Sequence, residues 1–220
     1  MPIASPKALA RRIFLTGAVS AWGACALGGW TRAASKGPII TILGDSITAG
    51  YGLAAADAFP AQLQGALQRL GVRAQVRGAG VSGDTTAAGL ARVEFSVQPD
   101  TALCIVALGG NDLLQGLDPS AARANLEAIV RRLKARRIKV VLCGLKAPAR
   151  LNAHYARDFD AVFPAVARKT GVRLYPNLLA GVEQTAALNQ SDGIHPNPRG
   201  VRIMVARLAP VIARALDGRG

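Results

Sequence analysis

Histidine is nearly missing from this sequence: His154 and His195 stand alone among 220 residues. A two-metal hydrolytic site usually draws on several imidazoles, which counts against that chemistry. Asp45, Asp112, Asp192 and His195 nevertheless keep a metal-dependent phosphoesterase open as an alternative. Cysteine is also scarce, since Cys25, Cys104 and Cys143 are too few for a disulfide scaffold. Cys104 and Cys143 lie in apolar, strand-like runs where buried free thiols are expected, and whether they are bridged depends on strand register. Aromatic residues make up only 5% of the chain. None interleaves with the densest basic run, Arg131, Arg132, Lys134, Arg136, Arg137 and Lys139. Without stacking platforms, a zinc finger or a helix-turn-helix pattern, no nucleic-acid partner is expected, and this run reads as a solvated helix face. No Gly-Lys-Ser/Thr follows the glycines, which counts against a phosphate-binding loop.

Acidic residues are few as well, 13 against 27 bases, for a net charge of +14. That balance leaves two other readings open: transient contact with an anionic membrane surface, and a non-enzymatic basic periplasmic binding protein. Long apolar runs are limited to Ile13–Trp30, preceded by Lys7, Arg11 and Arg12 and followed by Ala33, Ala34 and Ser35. A basic start, an apolar stretch and small residues make residues 1–35 an export signal. The Arg11-Arg12 pair before Ile13-Phe14-Leu15 resembles the twin-arginine type, so the protein is expected to be periplasmic or secreted. An uncleaved anchor and lipidation at Cys25 are the competing readings. Cleavage removes Lys7, Arg11, Arg12 and Arg32 and no acid, leaving 23 bases against 13 acids, or +10.

What the chain does have is apolar content, half of all residues, enough for one buried core over 36–220. Short aliphatic runs at Ile39–Leu43, Arg73–Arg77, Leu103–Leu108, Lys139–Leu145 and Val172–Tyr175 read as strands. Helical patterns alternate with them at Phe59–Leu70, Thr86–Val97, Ser120–Arg136, Phe159–Lys169 and Pro198–Leu216. Pro119 and Ser120 suit a helix start. This alternation predicts an α/β fold in three layers, with a five-stranded, mainly parallel sheet between helices. The distinctive residues all follow strands or precede the last helix: Gly44-Asp45-Ser46, Gly80 to Thr85, Gly109 to Asp112 and Asp192 to His195. Ligands of open α/β sheets bind at that edge.

A serine hydroxyl needs a base within hydrogen-bond reach, and the base needs a group to hold its tautomer. Ser46 is the candidate nucleophile and His195 the base. Asp192, three residues before His195, is the orienter that one tight turn can deliver. His154 sits in a polar stretch without such neighbours. Acyl transfer also needs donors for the developing oxyanion, and the Gly83 N–H, the Asn111 side-chain amide and the Ser46 N–H are the candidates. Taken singly, Gly83 could belong to a plain turn and Asn111 could cap its own backbone.

Four segments together resemble the SGNH (GDSL-type) hydrolases, on the side of the lysophospholipase/thioesterase I and arylesterase branch. They are Ile42 to Gly52, Ser82 to Thr86, Leu108 to Asp112 and Asp192 to Asn197. The resemblance implies a flavodoxin-like SGNH fold and the same roles: Ser46 nucleophile, His195 base, Asp192 orienter, and Ser46, Gly83 and Asn111 in the oxyanion hole. It implies a serine esterase acting on aryl esters, lysophospholipids or acyl thioesters through an acyl-enzyme, with no cofactor or metal. A small-molecule ester or lipid is the expected partner, and a monomer the expected state. Thr48 departs from the G-x-S-x-G elbow of the α/β-hydrolases. Lys146–Asp158 resembles the substrate-side loop of the thioesterase branch in outline.

Overall fold

The computed structural model describes residues 37–148 and 150–217. The expected export segment 1–35, Cys25 included, lies outside the described residues. From Ile39 the chain runs β1 (Ile39–Gly44), α1 (Ser46–Ala49), α2 (Phe59–Arg69), β2 (Gln75–Gly80), α3 (Thr86–Ser96), β3 (Thr101–Ala107) and α4 (Gly110–Leu114). It continues through α5 (Pro119–Ala135), β4 (Lys139–Cys143), α6 (Ala153–Thr170), β5 (Arg173–Tyr175) and α7 (Pro198–Leu216). The five strands form one parallel sheet in the order β2-β1-β3-β4-β5.

Burial explains the order. Ile40, Ile42 and Leu43 of β1 and Leu103 to Val106 of β3 have no exposed surface, as central strands covered on both faces require. α7 buries Val201, Met204, Val205, Leu208 and Ile212 along one stripe and packs on α2, whose Leu63, Ala66 and Leu67 are buried. The spacing of three and four residues is that of an amphipathic helix. α3 packs on α5, and α5 on α6.

Several boundaries differ from the sequence reading. The second strand, expected at Arg73–Arg77, begins and ends later, because β2 is an edge strand with no fully buried residue. It therefore lacks an apolar run, and Gly78 and Gly80 resemble turn residues. α6 starts at Ala153 rather than Phe159, its first turn capped by the Asn152 side chain accepting from His154 and Tyr155; that turn is polar and carries no periodic signal. α5 is capped by Asp118, not by Ser120, whose backbone N–H donates to the Asp118 carboxylate at 2.8 Å. The one-turn helices α1 and α4 are too short to show a period. Cys104 and Cys143 are free and buried.

Registry brings the site to one edge. Gly44 pairs with Gly80 on one side and with Ala107 on the other, so the loops after β1, β2 and β3 leave the sheet side by side. The connection reverses direction between β1 and β3, which opens a crevice there.

Candidate active site

Asp45, directly after β1, caps α1: its side chain accepts from the Ile47 N–H at 3.0 Å. Burial pushes its carboxyl up to about 6, opposed by that hydrogen bond and by His195. Ser46 is the first residue of α1.

The final loop is shaped by side chains acting on backbone. Asn197 caps α7 by accepting from Arg199 and Gly200 at 3.0 and 3.1 Å, and donates back to the Ala187 and Asn189 carbonyls. This holds Asp192 to His195 against the body of the fold. Within the turn, one Asp192 oxygen accepts from the Ile194 and His195 N–H groups, both at 2.9 Å. The other meets His195 Nδ1 at 2.6 Å. These backbone donors, His195 first and then Ile194, hold the Asp192 carboxyl down at about 2. An anionic partner at Nδ1 makes that nitrogen the donor, so Nε2 carries the lone pair. Nε2 faces Ser46 Oγ at 2.9 Å, across 149 residues of sequence. Ser46, His195 and Asp192 thus form one hydrogen-bonded chain.

Asn111 sits in α4 and lines the same cleft as Ser46. Its side-chain nitrogen donates to the Asp84 carbonyl at 2.9 Å, which uses one of its two N–H groups. Gly83, immediately before Asp84, has φ +87° and open space on its Cβ side, a conformation that suits glycine. Gly83 does not itself line the cleft; it is joined to Asn111 through Asp84. His154 lies apart on α6, exposed, with Nδ1 2.7 Å from Arg157.

The four groups of the metal alternative share the sheet edge, where Asp192 and His195 meet each other and each carboxylate already has its own partners. Asp112 is engaged by the Thr86 N–H and hydroxyl at 2.8 and 2.6 Å, Asp45 caps α1, and Asp192 holds His195. Among the described residues no group of three or more histidine, cysteine or carboxylate side chains is placed to hold a metal.

Sequence reasoning assigned no role to Arg92, Tyr51 or Gln190, all of which buttress the site. Arg92 is a single cation on α3, Tyr51 lies within the Ile42–Gly52 segment without a role of its own, and Gln190 belongs to no spacing pattern. The cleft itself holds about 140 Å³ and is walled by Leu113, Leu114, Leu145, Leu179 and Ile194, with Lys146, Arg150, Glu183 and Gln184 among its polar residues. Among the described residues no helix is long and apolar enough to cross a membrane.

Residues 42–203 match the GDSL-like Lipase/Acylhydrolase family. The chain is 37% identical over 158 residues to Esterase TesA of Pseudomonas aeruginosa, an alignment covering 71% of this chain and 79% of the relative. It is 35% identical over 168 residues to Thioesterase 1/protease 1/lysophospholipase L1 of Escherichia coli, covering 76% and 79%. The crystal structure of AlinE4, an SGNH-hydrolase family esterase, superposes with a TM-score of 0.69 at 45% identity, covering 82% of this chain and 97% of that one. With its parallel five-stranded sheet and its match across most of its length, the chain belongs to the GDSL-like lipase/acylhydrolase family of SGNH hydrolases, and is an esterase of that family.

Proposed function

We propose that Ser46, His195 and Asp192 carry out carboxylic ester hydrolysis through an acyl-enzyme. The observation that supports it is the unbroken path from Ser46 Oγ to His195 Nε2 at 2.9 Å and from Nδ1 to Asp192 at 2.6 Å. Ser46 Oγ attacks the carbonyl carbon while its proton passes to Nε2, and Asp192 stabilises the imidazolium. The carbonyl oxygen, now negative, is met by the Ser46 and Gly83 N–H groups and by Asn111 Nδ2; loss of one such donor raises the barrier by about 3 kcal/mol. Nε2 then protonates the leaving alcohol or thiol as the tetrahedral species collapses to the acyl-serine. Water attacks that ester and gives a proton to Nε2; collapse breaks the acyl–Oγ bond, Oγ takes that proton back from Nε2, and the acid leaves.

The acyl group lies against the leucine and isoleucine wall of the cleft. Aryl esters, lysophospholipids and acyl thioesters are the candidate substrates, the last two supported by the name of the Escherichia coli relative. Labelling with a fluorophosphonate probe, alongside hydrolysis of p-nitrophenyl esters from acetate to palmitate, tests the assignment. Ser46 is the expected adduct, and Ser46→Ala is expected to abolish both signals. An active, unlabelled Ser46 would refute the reading. Residues 1–35 act as a twin-arginine-type export signal for a monomeric periplasmic or secreted enzyme. Replacing Arg11 and Arg12 by lysine is expected to leave the protein inside the cell, as fractionation would show.

A further inference from the structure

Gln190 lies two residues before Asp192 and reaches back to the loop that follows the serine. Its side-chain nitrogen donates to the Tyr51 carbonyl at 2.8 Å and to the Pro196 carbonyl at 3.1 Å. Its backbone N–H donates to the His195 carbonyl at 2.8 Å, and its own carbonyl accepts from Gly193 at 3.0 Å. Tyr51 in turn donates its N–H to the Ser46 carbonyl at 3.0 Å. The links close a ring: Ser46 to Tyr51, Tyr51 to Gln190, Gln190 to His195, and His195 Nε2 back to Ser46 Oγ.

Tyr51 and Gln190 are 139 residues apart, so no local backbone preference sets their spacing. The contact is shaped on both sides. The Tyr51 ring lies against the His195 imidazole, with centroids 4.7 Å apart and planes tilted by 37°. Residue 52 is glycine, and a Cβ there would stand 2.2 Å from Gln190 Oε1. A carboxamide suits the place between two carbonyls because its nitrogen has two hydrogens, one for each. A carboxylate has no hydrogen to give and would set negative charge against both oxygens. A thioether of equal length would leave both carbonyls without this donor.

We propose that Gln190 is a positioning residue that sets the separation of the Ser46 hydroxyl and the His195 imidazole. The proposal rests on the reading of those two groups as nucleophile and base. Gln190 acts through the Tyr51 and Pro196 carbonyls that tie the serine loop to the histidine loop, so its effect is expected to fall on proton transfer and not on substrate affinity.

The test compares Gln190→Met and Gln190→Glu with the unaltered protein and with Ser46→Ala, using p-nitrophenyl acetate and the fluorophosphonate probe. In folded variants, kcat and the rate of Ser46 labelling are expected to fall together by about 10- to 100-fold. KM is expected to hold within about twofold, because the interaction lost acts on the chemical step. The glutamate variant is expected to fall further than the methionine variant. Unchanged kcat in a folded variant, or a rise in KM alone, would overturn the proposal. So would loss of the circular dichroism of the fold in both variants, which would assign Gln190 to the scaffold. Activity retained in Ser46→Ala would instead remove the underlying assignment, a result separable from every Gln190 outcome.

Discussion

Arg92 and Asp84 form an ion pair at 2.5 Å, with side chains only 18% and 11% exposed. The same guanidinium donates to the Gly44 and Ala79 carbonyls, both at 2.8 Å, and to Ser96 Oγ at 2.9 Å. Arg92 therefore joins the ends of β1 and β2 to the loop carrying Gly83. Removing one partner of a largely buried pair leaves a charge without its counterion, at a cost of roughly 3–5 kcal/mol. Arg92→Met is expected to lower the urea midpoint accordingly. Adding Asp84→Asn is expected to recover part of the loss, a coupling that a double-mutant cycle measures.

Asn111 is held by the carbonyl of that same Asp84. On the proposed mechanism, Asn111→Ala is expected to reduce kcat by about 10²–10³-fold, the cost of one oxyanion donor. Steady-state kinetics check this. A change in KM without a change in kcat would exclude Asn111 from transition-state contact.

Asp192 is held at about 2 by its backbone donors, so it stays ionised through the range in which esterases are assayed. Asp192→Asn presents an amide that can favour the wrong tautomer, and is expected to cost on the order of 10³–10⁴-fold in kcat. Steady-state kcat for the variant checks this.

Asp45 has the opposite shift, from 3.8 to about 6. The folded state holds this proton more strongly than the unfolded chain does. Its contribution to stability is therefore complete below pH 3.8 and is lost as pH rises through about 6. The whole shift corresponds to about 3 kcal/mol as an upper bound. Asn at position 45 keeps an oxygen for the Ile47 N–H and has no charge to bury. Urea titrations are expected to show Asp45→Asn gaining stability relative to the unaltered protein between pH 4 and 7. Parallel pH curves would contradict this.

The elements most legible in the sequence were those whose residues face one environment throughout. β1 and β3 are mostly aliphatic because both sheet faces are covered, their buried Thr41 and Thr101 hydroxyls bonding to each other, and α7 shows an unbroken apolar stripe. β2 was displaced in the sequence reading because half-burial at an edge erases that contrast. The Asp192–His195 turn was legible because its partners are three residues apart and interact locally.

Residue types and short spacings alone determined the α/β class, the four loops at one sheet edge, and the pairing of a carboxylate with an imidazole. Local backbone preference and apolar periodicity act over a few residues and leave a trace in the sequence. The meeting of Ser46 with His195, the clamp of Gln190 on Tyr51 and the anchoring of Asp84 by Arg92 were decided only by the tertiary structure. Strand order and register bring those groups together across tens to more than a hundred residues, a distance over which spacing carries no geometric information.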